Sequence, residues 1–184
     1  MMRHVALLGV LLMSAPAMAA SVTTQVCFNY GCSERADVHF GEFEFELAGD
    51  HLAAADDAAS EREALREALA LLYRLAGRQT PIDADRAGNL RDAGVRGRMD
   101  CIDHSITTDA LLRLIEARDW LRHHDVNDIA VRRAGIFSEH RSAVIVERGS
   151  GAAWVVDTWF GDHAEPAVLM PLDEWMNGGG PNVY

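Results

Sequence analysis

Hydrophobic and polar positions along the chain form a few periodic runs separated by glycine-punctuated stretches. In "ADVHFGEFEFEL", Phe43, Phe45 and Leu47 alternate with acidic residues, the period of a half-buried strand, and Gly41 is a place for a bulge. "SEREALREALALLYRLAG" follows with a helical stripe of Leu65, Leu69, Leu72 and Ala76. Ser60 and Glu63 suggest a capping box at its start, and Gly77 closes it. A second helix is expected from Cys101 to about residue 119, capped by Asp100 and carrying Asp103 in its first turn. Ser105, Asp109, Arg113 and Glu116 fall on one narrow stripe of it, and apolar residues occupy most other directions. Such a helix belongs in the interior.

After a linker with His123 and His124, "HRSAVIVE" and "AAWVVDTWF" read as strands joined by the turn "RGSG". "PLDEWMNGGG" reads as a short helix starting at Pro171 and stopped by glycines. Strand, helix, helix and hairpin predict an α+β domain with a central cysteine-bearing helix on an antiparallel sheet. Residues 78–100 form a long polar connection without clear periodicity, more often a functional loop than filler.

The chain's 184 residues, 49% of them apolar, suit one globular domain. Its first twenty have the three parts of a secretory signal: Arg3 and His4, the apolar "VALLGVLLM", and the small-residue "APAMAA". The expectation is a signal peptide over residues 1–20 and one exported, periplasmic or secreted domain over 21–184. The apolar run is too short to span a bilayer. The formal charge is −11, and loss of Arg3 with the signal makes it −12. Every cation is arginine; an acidic chain with no basic cluster argues against nucleic acid and anionic lipid as partners.

Three cysteines remain after such a cut. An oxidising compartment favours pairing, and Cys27–Cys32 in "CFNYGC" is the natural local bridge. Cys101 is then a candidate reactive thiol; a buried inert cysteine, a bridge to another cysteine and an intermolecular disulfide are the alternatives. In either plausible hairpin register His140 and Asp157 share a sheet face, because side chains alternate with period two. Asp157, with Asp162 as the second choice, can orient the imidazole, and the other ring nitrogen can face the thiol. The helix start and an imidazolium can together lower a thiol pKa from about 8.5 to well below neutral. The Cys101 N–H can serve a developing oxyanion, with Asn89 or Gln79 as the second donor.

The remaining chemistry-bearing residues have plainer readings. His104 points to the apolar side of its helix and is expected to be a satisfied core histidine. Asp100, Asp103, His104, His123, His124 and His163 lack the short fixed spacing of a zinc motif, so no metal site is expected. Trp154, Trp159 and Trp175 read as packing residues, with Trp159 able to wall the cleft. Gly178, Gly179 and Gly180 form no phosphate loop, for the chain has no lysine.

The order Cys, His, Asp, with "DCIDHS" opening a helix and "HRSAVIV" and "WVVD" as successive strands, resembles the bacterial transglutaminase-like cysteine peptidases of the papain-type superfamily. The resemblance covers residues 100–160. It implies a papain-like core, catalytic roles for Cys101, His140 and Asp157, and an acyl-enzyme formed on an amide of a protein or peptide substrate. A protein-glutamine acyltransferase has the same site, and a binding protein that lost turnover keeps the same fold. No cofactor is expected. Calcium, which some members use, is not carried over, because Ile102 stands where they have an acidic residue.

Overall fold

The computed structural model describes residues 21–88, 91–134 and 138–181. It is a mixed α+β structure with two antiparallel sheets. β1 (Ser21–Phe28) and β2 (Glu34–Gly41) form a hairpin, followed by α1 (Glu42–Ala53) and α2 (Ala58–Gly77). A 3-10 turn (Pro81–Ala84) lies in the long connection to α3 (Cys101–Glu116). β3 (His124–Ala134), β4 (Ser138–Glu147), β5 (Ala153–Asp157) and β6 (Val168–Pro171) make a four-stranded meander, and α4 (Leu172–Met176) closes the described chain. The signal-peptide reading falls on residues 1–20, outside the described residues.

α3 packs against β1 on one side and β3 and β4 on the other, so the cysteine-bearing helix lies between the two sheets. One core joins Val26 and Phe40 of the hairpin, Leu65 and Leu72 of α2, Leu111 and Ile115 of α3, and Ile145 and Val156 of the meander. Burying each such side chain contributes about 1.5–3 kcal/mol. On the other sheet face, Val144 and Val155 meet Trp175 of α4. Both faces of β4 are therefore covered, which accounts for its continuous apolar run. No helix among the described residues is long and apolar enough to cross a membrane.

Four local expectations are corrected. The alternating "EFEFEL" is helix, not strand: Phe43 is 73% exposed, while Phe45, Ala48 and Leu52 are buried at helical spacing. Period two holds for six residues, but the buried set extends beyond it, and the longer helical period wins. Gly49 lets α1 seat against Trp120, whose ring would lie 2.7 Å from an added Cβ. α2 begins at Ala58, with Asp57 and not Ser60 as its N-cap. Asp57 accepts from the Ser60 N–H at 2.7 Å and the Ser60 hydroxyl accepts from the Asp57 N–H at 3.1 Å, while Glu63 pairs with Arg66. α3 ends at Glu116 rather than near residue 119. The segment read as a linker from His124 onward is strand β3, whose alternation is masked by a register shift between Asn127 and Ala130 and by edge charges.

Candidate functional site

The site is built around the first turn of α3. Asp100 is extended (φ −94°), and its Oδ1 accepts from the N–H groups of Ile102 and Asp103 at 3.0 and 2.9 Å. Asp103 returns the bond, accepting from the Asp100 N–H at 3.1 Å. This reciprocal cap leaves the N–H of Cys101, first in the helix, without an intrahelical acceptor. Cys101 is half-buried, and its thiol lies 3.7 Å from the carbonyl oxygen of Glu139.

That contact places the sulfur beside the strand carrying the histidine. β4 pairs with β5 only from Ala143 onward, so upstream of it this edge of β4 is open to α3. The carbonyl of Glu139 and the N–H of Arg141 both turn to the sulfur there, flanking His140. The observed register pairs Ala143 with Val156, the later of the two expected from the turn, and makes Asp157 the diagonal neighbour of His140. His140 Nε2 is 2.7 Å from Asp157 Oδ2.

Asp157 is buried and holds more than the imidazole. Oδ2 also accepts from the indole N–H of Trp175 at 3.0 Å, and Oδ1 accepts from the Trp159 N–H at 3.1 Å. One carboxylate thus serves both the turn after β5 and the histidine. The rings of Trp159, Trp175 and Phe160 stand 4.8, 5.4 and 5.5 Å from the imidazole centroid and fix its plane. With Nε2 engaged, Nδ1 is the ring atom left for a reacting group. Asp162 does not share this role; it accepts from the Ala87 N–H at 2.9 Å.

The electrostatic expectation for the thiol is corrected. Burial pushes the Cys101 thiol up from its ordinary value, and the charges of Asp100 and Asp157 add to this. The N–H and guanidinium of Arg141 oppose it without reversing it. The resting group is therefore the thiol, donating to Glu139, rather than a preformed thiolate. Burial also raises Asp103, to about 6, with the Asp100 charge adding and backbone N–H bonds opposing.

The two guesses for a second oxyanion donor fare differently. The Gln79 amide is committed elsewhere: its Oε1 accepts from the His39 N–H and its Nε2 donates to the His39 carbonyl, both at 3.0 Å. Asn89 lies outside the described residues. Trp159, whose ring centroid lies 4.8 Å from that of His140, has a buried indole N–H with no partner among the described residues. No sequence pattern marks that N–H as unpaired, since indole partners depend on packing alone.

The neighbouring residues behave as structure. His104 is buried between Asp85 and Thr158, with Nε2 2.8 Å from Asp85 Oδ2 and Nδ1 2.9 Å from Thr158 Oγ1. Asp85 also accepts from the Met99 N–H at 2.8 Å, which ties the long connection to α3. His124 lies against buried Glu61 at 2.8 Å. Cys27 and Cys32 are joined as a disulfide, so the cluster they form with Asp103 has no free thiol to offer a metal. A cavity of about 570 Å³ lies away from Cys101, between α1 and the chain after α3, lined by Phe43, Leu47 and Trp120 among others.

No family model, curated protein or solved structure matches the chain. Cys101 lies against the backbone on either side of His140, and His140 lies against Asp157.

Proposed function

We propose that the protein is an exported thiol hydrolase, a cysteine peptidase or amidase acting on a protein or peptide amide. The observation that carries this is the His140–Asp157 bond on a strand whose backbone, one residue either side of His140, holds the Cys101 sulfur. The chain order of the three residues and the resemblance of their motifs to those of transglutaminase-like cysteine peptidases support it.

Cys101 attacks the amide carbonyl, and His140 Nδ1 takes the thiol proton as the S–C bond forms. The oxyanion is met by the Cys101 N–H. The tetrahedral species expels the amine, which takes its proton from His140, and leaves a thioester. Water then attacks the thioester, His140 accepts its proton and returns one to sulfur, and the acid is released. Asp157 fixes the tautomer and stabilises the imidazolium. An amine in place of water gives transglutamination at the same site. No step calls on calcium or any other cofactor.

One observation favours a second reading, a binding protein of the same fold without turnover: the thiol is raised, not lowered. Exposing the protein to an activated acetyl ester and mapping the modification separates the two. The hydrolase transiently acetylates at Cys101 and not in the His140→Ala variant; no acetylation, or the same level in both, leaves only the binding reading.

A further inference from the structure

The turn inside the disulfide has an unusual backbone. Asn29, Tyr30, Gly31 and Cys32 are all left-handed, with φ between 55° and 66°. Only glycine adopts this region freely, and runs of it are rare. Successive N–H groups in such a turn point inward and form a concave anion site. Here the anions are the two carboxylates that cap α3. Asp103 accepts from the N–H groups of Tyr30 and Cys32 at 2.8 and 2.6 Å, and Asp100 accepts from Gly31 at 2.9 Å.

The same turn holds the chain leading into the helix. The Asn29 side-chain oxygen accepts from the Gly97 N–H at 2.7 Å, and the Asn29 N–H donates to the Arg98 carbonyl at 2.8 Å. Tyr30 donates its hydroxyl to Asp92 at 2.7 Å. Behind it, the Cys27 N–H donates to Thr107 of α3 at 3.0 Å. All of these contacts but the last bear on the helix end that starts with Cys101 or on the segment before it, and the last ties the turn to the body of α3.

We infer that the Cys27–Cys32 turn is a positioning device for the Cys101 end of α3, engaged while the disulfide is intact and released when a dithiol reduces it. Tyr30, Gly31, Cys32 and Asp103 are its positioning residues. Cys32 is half-exposed and Cys27 buried, so a dithiol's thiolate attacks the Cys32 sulfur and Cys27 leaves. The dithiol's second sulfur then displaces Cys32. The dithiol loses two electrons and becomes a cyclic disulfide, and Cys27 and Cys32 each gain a proton. Without the cross-link the left-handed run relaxes, and the two caps lose three N–H donors. The consequence for reactivity rests on the thiol-hydrolase reading; the consequence for the helix end does not.

The test treats the full chain with dithiothreitol, removes the reagent, and follows hydrogen exchange by mass spectrometry together with alkylation of the Cys101 peptide by iodoacetamide. The expected result is at least about tenfold faster exchange over residues 100–105, with residues 143–156 unchanged. Cys101 alkylation at neutral pH falls by a similar factor. The Cys27→Ser, Cys32→Ser double variant reproduces the reduced state. Unchanged exchange at residues 100–105, or loss of protection in both segments together, overturns the proposal, as does an unchanged alkylation rate beside faster exchange. Cys101 that is inert in oxidised and reduced protein alike overturns the hydrolase reading instead, and exchange alone then decides the role of the turn.

Discussion

His140 Nε2 and Asp157 Oδ2 stand 2.7 Å apart on neighbouring strands, and the same oxygen takes the indole N–H of Trp175 from the helix beyond. A buried carboxylate with a donor on each side is both an anchor for the imidazole and a junction of the fold. Replacing Asp157 by alanine strands the Trp175 and Trp159 N–H groups. An unsatisfied buried polar group costs about 1–3 kcal/mol, so the variant loses at least that much in a urea titration. Trp175→Phe keeps the ring but removes one donor and loses about 1 kcal/mol. Equal midpoints for wild type and both variants would remove Asp157 from this role.

Glu61 and His124 test the interior away from the site. Burial works against the Glu61 charge, yet His124 and the N–H groups of Arg122 and His123 outweigh it and hold the carboxyl below its ordinary value. A carboxyl lowered by folding contributes stability above its unfolded pKa, near 4.3. That contribution is lost as pH falls through the still lower folded value. Glu61→Gln is expected to cost about 3–5 kcal/mol at neutral pH, the scale for breaking a buried pair. The gap between variant and wild type narrows on acidification below about pH 4; unfolding curves at several pH values show whether it does.

Gly49 tests the helical reading of α1. An added Cβ would meet Trp120 at 2.7 Å, so Gly49→Ala forces the ring or the helix to shift. Overpacking of this kind costs about 1–3 kcal/mol. The exposed neighbour Phe43 is expected to accept glutamate within about 0.5 kcal/mol. A strand through this segment would reverse the ranking, since Phe43 would then share the buried face of Phe45.

Much of the site was legible because its logic is local. Asp100 and Asp103 cap a helix by spacing alone, and strand parity puts His140 and Asp157 on one face in either register. The α2 stripe and the Cys27–Cys32 bridge follow from equally short-range rules. Other features depend on contacts between distant segments. Phe45 is chosen over Phe43 by the core it meets, and β3 is an edge strand whose partner, not its pattern, defines it. Gln79 is held by His39, forty residues away, and the Cys101 sulfur meets the Glu139 carbonyl of β4. No spacing rule on the chain carries that information.

Turnover at this site requires His140 to act on the Cys101 sulfur. The most direct measurement of that action is the rate at which iodoacetamide labels the Cys101 peptide at pH 7, in wild type and in His140→Ala shown by circular dichroism to be folded. Labelling is expected to be at least about tenfold slower in the variant, since the base that takes the thiol proton is gone. Equal rates in two folded proteins would contradict it.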